Sequence, residues 1–219
     1  MIADARQFVE TMLLAIAALL PIVNPVACAS VFLARTADLT QEDRRRTAMR
    51  VARYGFALLL ASALIGAYVL DFFGLSIPVV QVAGGLVVSV LGWTLLSQEN
   101  LAERRDAAAA PTPDDLGARA FYPLTMPLTV GPGSISVAIT LGANPPEDAR
   151  ALAITLVAHA LGLAVVALVV YLVYAKADAV LRRLGTTGTV IVTRLSAFIL
   201  LCVGVQIVWN GVRALILSL

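Results

Sequence analysis

Residues 21–33 read PIVNPVACASVFL, and residues 128–140 read LTVGPGSISVAIT. Each stretch sets a proline in the middle of a long apolar run, at Asn24-Pro25 and at Gly131-Pro132. Proline has no N–H and its ring clashes with the preceding turn, so it breaks or kinks a helix. Placed in register, the two proline steps coincide. Small residues follow both: Ala27, Ala29 and Ser30 in one, Gly133, Ser134 and Ser136 in the other.

The surroundings of these steps are those of a membrane protein. The chain has 219 residues, 60% of them hydrophobic and only 14% charged, where a soluble domain carries roughly 25% charged residues. The charges are bunched. Glu10 to Arg35 leaves 24 uncharged residues, Arg53 to Asp71 17, Asp71 to Glu99 27, Arg119 to Glu147 27, Arg150 to Lys176 25, and Arg194 to Arg213 18. A bilayer core takes about 20 apolar residues per helix. Six spans follow, over 9–34, 50–70, 78–97, 121–143, 150–175 and 190–214. The first reads as a membrane helix. A signal peptide has a shorter apolar region, about 7–15 residues, behind a basic flank, whereas Asp4 and Glu10 precede this one.

Arginine carries the orientation. Arg35, Arg44, Arg45, Arg46 and Arg50 follow span one, Arg104, Arg105 and Arg119 follow span three, and Lys176, Arg182 and Arg183 follow span five. The other side has Arg6, Arg150 and Arg213. The positive-inside rule puts both termini outside the cytoplasm. These basic runs are membrane flanks, so no nucleic acid partner is expected. Cys28 and Cys202 lie inside spans without metal-ligand spacing and read as small apolar filler. Neither a metal nor a cofactor is expected.

The only long polar stretch, 98–120, is rich in Ala, Pro and Asp and reads as a flexible cytoplasmic linker. It divides the chain into a first half, 1–97, and a second, 121–219, of three spans each. Three is odd, so halves that repeat must run in opposite directions through the membrane. The fold class is therefore an all-α polytopic membrane protein: six transmembrane spans as two inverted three-span repeats, each with a broken or kinked first helix. Interrupted helices at matching places of inverted repeats point to a transporter's substrate site. A mid-membrane break strands carbonyls at one end and N–H groups at the other, and neither can face lipid. The N–H end suits a carboxylate and the carbonyl end an ammonium group, so the partner is a small zwitterionic solute. Candidate binding residues here are Asn24, Pro25, Ser30, Thr129, Gly131, Pro132, Gly133 and Ser134. The plainer reading is a pair of proline kinks used for packing.

Together LLPIVNPVACASVFLA, RRRTAMRVA, FFGLSIPVVQVAGG, PLTMPLTVGPGSISVAI and TRLSAFILLCVGVQIVWNGV resemble the MarC family of six-span bacterial and archaeal membrane proteins. The resemblance covers nearly the whole chain. It implies a multi-pass protein of the prokaryotic inner (plasma) membrane and a transporter of small neutral amino acids such as glycine and alanine, with export one direction. Gln81 stands where that family often has arginine.

Other polar residues have two readings each. Gly84 and Gly85 pack helices or bring span three up to the breaks. Arg194, the repeat partner of Gln81, snorkels to the interface or binds a carboxylate in a cavity. His159, the only histidine, is a proton-coupling candidate or a neutral hydrogen-bonded group between helices. Coupling to H⁺ or Na⁺ is not written in the charges, since no acidic residue lies clearly at mid-membrane. Two other functions compete with the transporter: a channel or structural membrane protein, and an intramembrane hydrolase with Ser134 as nucleophile and His159 as base. The hydrolase reading leaves the repeat unexplained, so no enzyme is expected.

Overall fold

The computed structural model describes residues 2–97, 116–143 and 145–217, and nearly all of them are helical. The elements are α1 Ile2–Val23, α2 Pro25–Arg35, α3 Gln41–Phe72, α4 Ile77–Ser97, α5 Leu116–Arg119, α6 Pro132–Gly142, α7 Ala149–Ala175 and α8 Ala177–Leu217. Between α5 and α6, Ala120–Thr129 winds in wider turns. α8 turns at Gly185, whose φ of 66° glycine adopts without steric cost.

Five helices are long and apolar enough to cross a membrane. The pair Leu116–Thr129 and Pro132–Gly142, bent by 74° at its break, makes six when counted as one span. Leu14, Ile65, Trp93, Leu195 and Trp209 are exposed on the outside of the bundle, where lipid replaces water as the solvent for apolar side chains. Of the linker expected at 98–120, residues 98–115 lie outside the described residues. Its last residues differ from the expectation: they form α5, and Arg119 is only 8% exposed. The cause is electrostatic. The Arg119 guanidinium holds the two Asp38 carboxylate oxygens at 2.8 and 2.7 Å and donates to the Arg35 carbonyl at the end of α2.

The main helix contacts among the described residues run between the halves. α4 packs on α8, α1 on α7, α3 on both α6 and α7, α4 on α6, and α2 on α8. α4 and α8 are antiparallel and nearly touch. A Cβ placed on Gly85 would lie 2.8 Å from the Gly204 carbonyl oxygen, and one on Gly204 would lie 2.9 Å from that of Gly85. Gly92 meets Ala197, and Gly211 meets Pro78, one seven-residue step to either side. In lipid, apolar burial gives no drive between helices, so such close packing holds them together.

Polar clamps close both ends of the bundle. At the arginine-rich end Arg44 reaches Asp178 at 2.6 Å and also donates to the Thr36 carbonyl. At the other end Arg150 meets Asp4 at 2.8 Å, and Gln7 donates to Thr155 at 3.2 Å. Each clamp joins one half to the other.

Candidate functional site

The first interruption is a single residue. Asn24 adopts the left-handed conformation, φ 43° and ψ 59°. Its N–H still bonds back to the Leu20 carbonyl, and its own carbonyl accepts from Cys28 N–H to begin α2. Asparagine is among the few non-glycine residues that tolerate this backbone, and the residue before a proline is pushed out of the α region. The side chain caps α2 weakly, Oδ1 accepting from Ala27 N–H at 3.4 Å. Its Nδ2 is buried without a hydrogen-bond partner among the described residues, in a residue only 7% exposed.

The second interruption is longer and built differently. The segment before it repeats a four-residue unit, Tyr122-Pro-Leu-Thr and Met126-Pro-Leu-Thr, with cis peptides at both prolines. Thr125 and Thr129 each donate their hydroxyl to the carbonyl five residues back, Ala120 and Leu124, both at 2.7 Å. Val130 and Gly131 are extended, and Pro132 starts α6. No side chain caps α6, so the N–H groups of Gly133 and Ser134 lack the intrahelical acceptor that a first turn never supplies. Ser134 turns its hydroxyl to the Gly131 carbonyl at 2.9 Å.

The two interruptions meet. Cys28, in the first turn of α2, points its Sγ at the Val23 carbonyl (3.7 Å) and at the Leu128 carbonyl from the other interruption (3.4 Å). Thr129 shares a 2.9 Å hydrogen bond with the Tyr174 hydroxyl of α7. The Tyr174 ring stacks on Phe32 of α2, centroids 4.5 Å apart. α4 closes the remaining side, Gly84 against Ser136 and Val88 against Gly133. Beside both breaks lies a cavity of about 10 Å³, lined by Val23, Gly55, Phe56, Thr129, Val130 and Val170 among others. That is about the room one water needs, and its walls are almost wholly apolar.

The profile described as MarC family integral membrane protein matches residues 9–216. This chain belongs to the MarC family. Curated proteins described as UPF0056 inner membrane protein MarC, from Escherichia coli strains K12, UTI89 and CFT073, are each 31% identical to it over 208 residues, 93% of this chain and 94% of theirs. No solved structure matches. Like these relatives, the chain is a multi-pass protein of the inner membrane.

Within this MarC-family fold the candidate residues divide. Asn24, Pro25, Thr129, Gly131, Pro132, Gly133 and Ser134 are drawn to the paired breaks, with Gly84 against them. Ser30 lies one turn into α2 and donates to the Ala27 carbonyl at 3.1 Å. Gln81 does not reach the breaks; it lies 3.4 Å from the Thr140 hydroxyl, two turns along α6. Gly85 turns away from Gly84's neighbours to face α8. Arg194 is exposed and joins no buried site. His159 is 7% exposed, on α7, and makes no hydrogen bond among the described residues, Ser134 included. The small, nearly apolar cavity beside the breaks is lined by Val23, Thr129 and Val130 and not by Asn24, Gly131 or Gly133. Sequence reasoning missed Cys28 and Tyr174. Cys28 stands four residues after Asn24, one turn on, and Tyr174 is a hydroxyl-bearing ring one residue from the end of the run 151–175; both signals were legible.

Proposed function

We propose that the protein is a secondary transporter of small neutral amino acids, glycine- and alanine-like, and that the zwitterion is held between the two breaks. One observation carries this reading. The two breaks meet where Cys28 joins them, and there the Asn24 amide nitrogen is buried with no partner among the described residues. An unmet buried donor costs about 1–3 kcal/mol, and a bound carboxylate would remove that cost. The uncapped first turn of α6 would add two backbone donors at the positive end of the helix dipole, and the carbonyls of Val23 and Leu128 would face the ammonium group.

The helix pairing supports inverted halves. Under exchange of halves, α1 on α7 becomes α3 on the Ala120–Thr129 segment, and α2 on α8 becomes α4 on α6. The α4–α8 pairing maps onto itself. Because the halves interleave, access changes by hinging at the breaks and not by rocking one half as a rigid body. The arginine-rich end faces the cytoplasm and both termini face out. His159 is the proton-coupling candidate, with Na⁺ the alternative driving ion. The protein is not an enzyme in this reading.

The water-sized apolar cavity favours a second reading, a non-transporting structural protein or a channel closed by dewetting. Radiolabelled glycine uptake into proteoliposomes separates them. The transporter predicts saturable uptake that unlabelled alanine competes away. Absent or non-saturable uptake, with and without proton and sodium gradients, overturns it.

A further inference from the structure

A second site lies on the outside of the bundle, between α3 and α7. Four alanines, Ala52, Ala57, Ala164 and Ala167, leave a groove of about 460 Å³, flanked by Phe56 and Leu168. Toward the arginine-rich end it runs past Met49 and Tyr171 into a wider mouth of about 680 Å³ that Arg45 and Arg46 line. Arg53 lines the groove itself.

At the mouth both carboxylates serve one arginine. Arg46 pairs with Glu42 at 2.5 Å and approaches Asp43 at 4.0 Å. Arg45 instead donates to the Tyr171 hydroxyl at 2.8 Å, which fixes the guanidinium over the groove. Among the described residues no carboxylate pairs with Arg45 or Arg53. From Arg45 to Ala57 is twelve residues, about 18 Å of helix, against about 15 Å for one leaflet of the hydrocarbon core.

We infer that this groove binds one anionic glycerophospholipid, its phosphate between Arg45 and Arg53 and an acyl chain over the four alanines. A basic pocket above a gap between membrane helices has the chemistry to hold such a headgroup. A headgroup without net charge would leave the two guanidiniums unmatched. Ala52, Phe56 and Ala167 also wall the small cavity at the breaks, so the acyl chain seals that cavity from the side. The site does not depend on what the protein transports.

Native mass spectrometry of the full chain in detergent, with equimolar phosphatidylglycerol and phosphatidylethanolamine, tests the inference. Phosphatidylglycerol is expected to be retained at least severalfold over phosphatidylethanolamine. The pair Arg45→Gln and Arg53→Gln should abolish that preference. Ala167→Leu, which fills the floor and keeps both charges, should weaken retention of both lipids. Equal retention of the two lipids, a preference that survives in the double variant, or unchanged retention by Ala167→Leu would each overturn it. So would displacement of phosphatidylglycerol by inorganic phosphate alone, which would mark an anion site with no use for the groove.

Discussion

The two interruptions reach the same end by different backbones. The first is one left-handed asparagine that caps the helix it begins. The second is an extended Val130-Gly131 step behind a wide-turned segment, and it leaves α6 uncapped. Both put proline at the first helical position, where its missing N–H costs nothing. The difference suggests a division of labour. The first break presents a side-chain amide, and the second presents backbone N–H groups. Substitutions at Gly133, Asn24 and Thr129 break or sharpen that contrast, and one at Asp38 probes the clamp at the end of α2.

The largest effect belongs to the second break. A Cβ at Gly133 would collide with the Val88 side chain. Gly133→Ala should lose about 1–3 kcal/mol from overpacking, read as a lower thermal midpoint in detergent, and Gly133→Leu should abolish folded yield. At the first break, Asn24→Gly keeps the left-handed backbone at little cost but removes the amide. Glycine uptake should fall about tenfold, or about 1.4 kcal/mol, while the thermal midpoint stays within a few degrees. An uptake rate equal to that of the unsubstituted chain would reduce Asn24 to a structural cap.

Thr129→Val removes the bond to Tyr174 and should cost about 1 kcal/mol, visible in the same melting experiment. The smallest effect concerns the clamp at the end of α2. The Arg119 guanidinium beside Asp38 holds its carboxyl below the ordinary value of 3.8. A lowered folded value stabilises the fold above 3.8 and is lost as pH falls through that lower value. The melting-point gap between the unsubstituted chain and Asp38→Asn should therefore hold steady from pH 7 to about pH 5 and close below 3.8. A gap that persists in acid would mean that Asp38 acts through something other than its charge.

Much of the architecture was legible in the sequence, because charges cluster where a membrane chain meets water. The uncharged runs located the apolar helices and the two prolines both breaks, but where one span was expected over 9–34 the crossing helix ends at Val23 and Pro25–Arg35 is a separate short helix. Three things were not legible. The order in α5 depends on Arg119 meeting Asp38, 81 residues away. The interleaving of the halves depends on contacts such as Gly85–Gly204, which no local pattern shows. The fates of Gln81 and Arg194 depend on helix rotation: one residue of register sends Gly84 to α6 and Gly85 to α8. Arg194, polar within an apolar run, is as compatible with an outer face as with an inner one.

The central claim is that the two breaks form one solute site. Cys28 reports on it directly, since its sulfur lies 3.4 Å from the Leu128 carbonyl of the opposite break. With the exposed Cys202 replaced by serine, the rate at which a membrane-permeant maleimide alkylates Cys28 can be followed in vesicles. Glycine or alanine should slow the reaction severalfold, and equimolar sucrose should not. A Cys28 rate indifferent to glycine, in vesicles that take glycine up saturably, would place the solute elsewhere in the molecule.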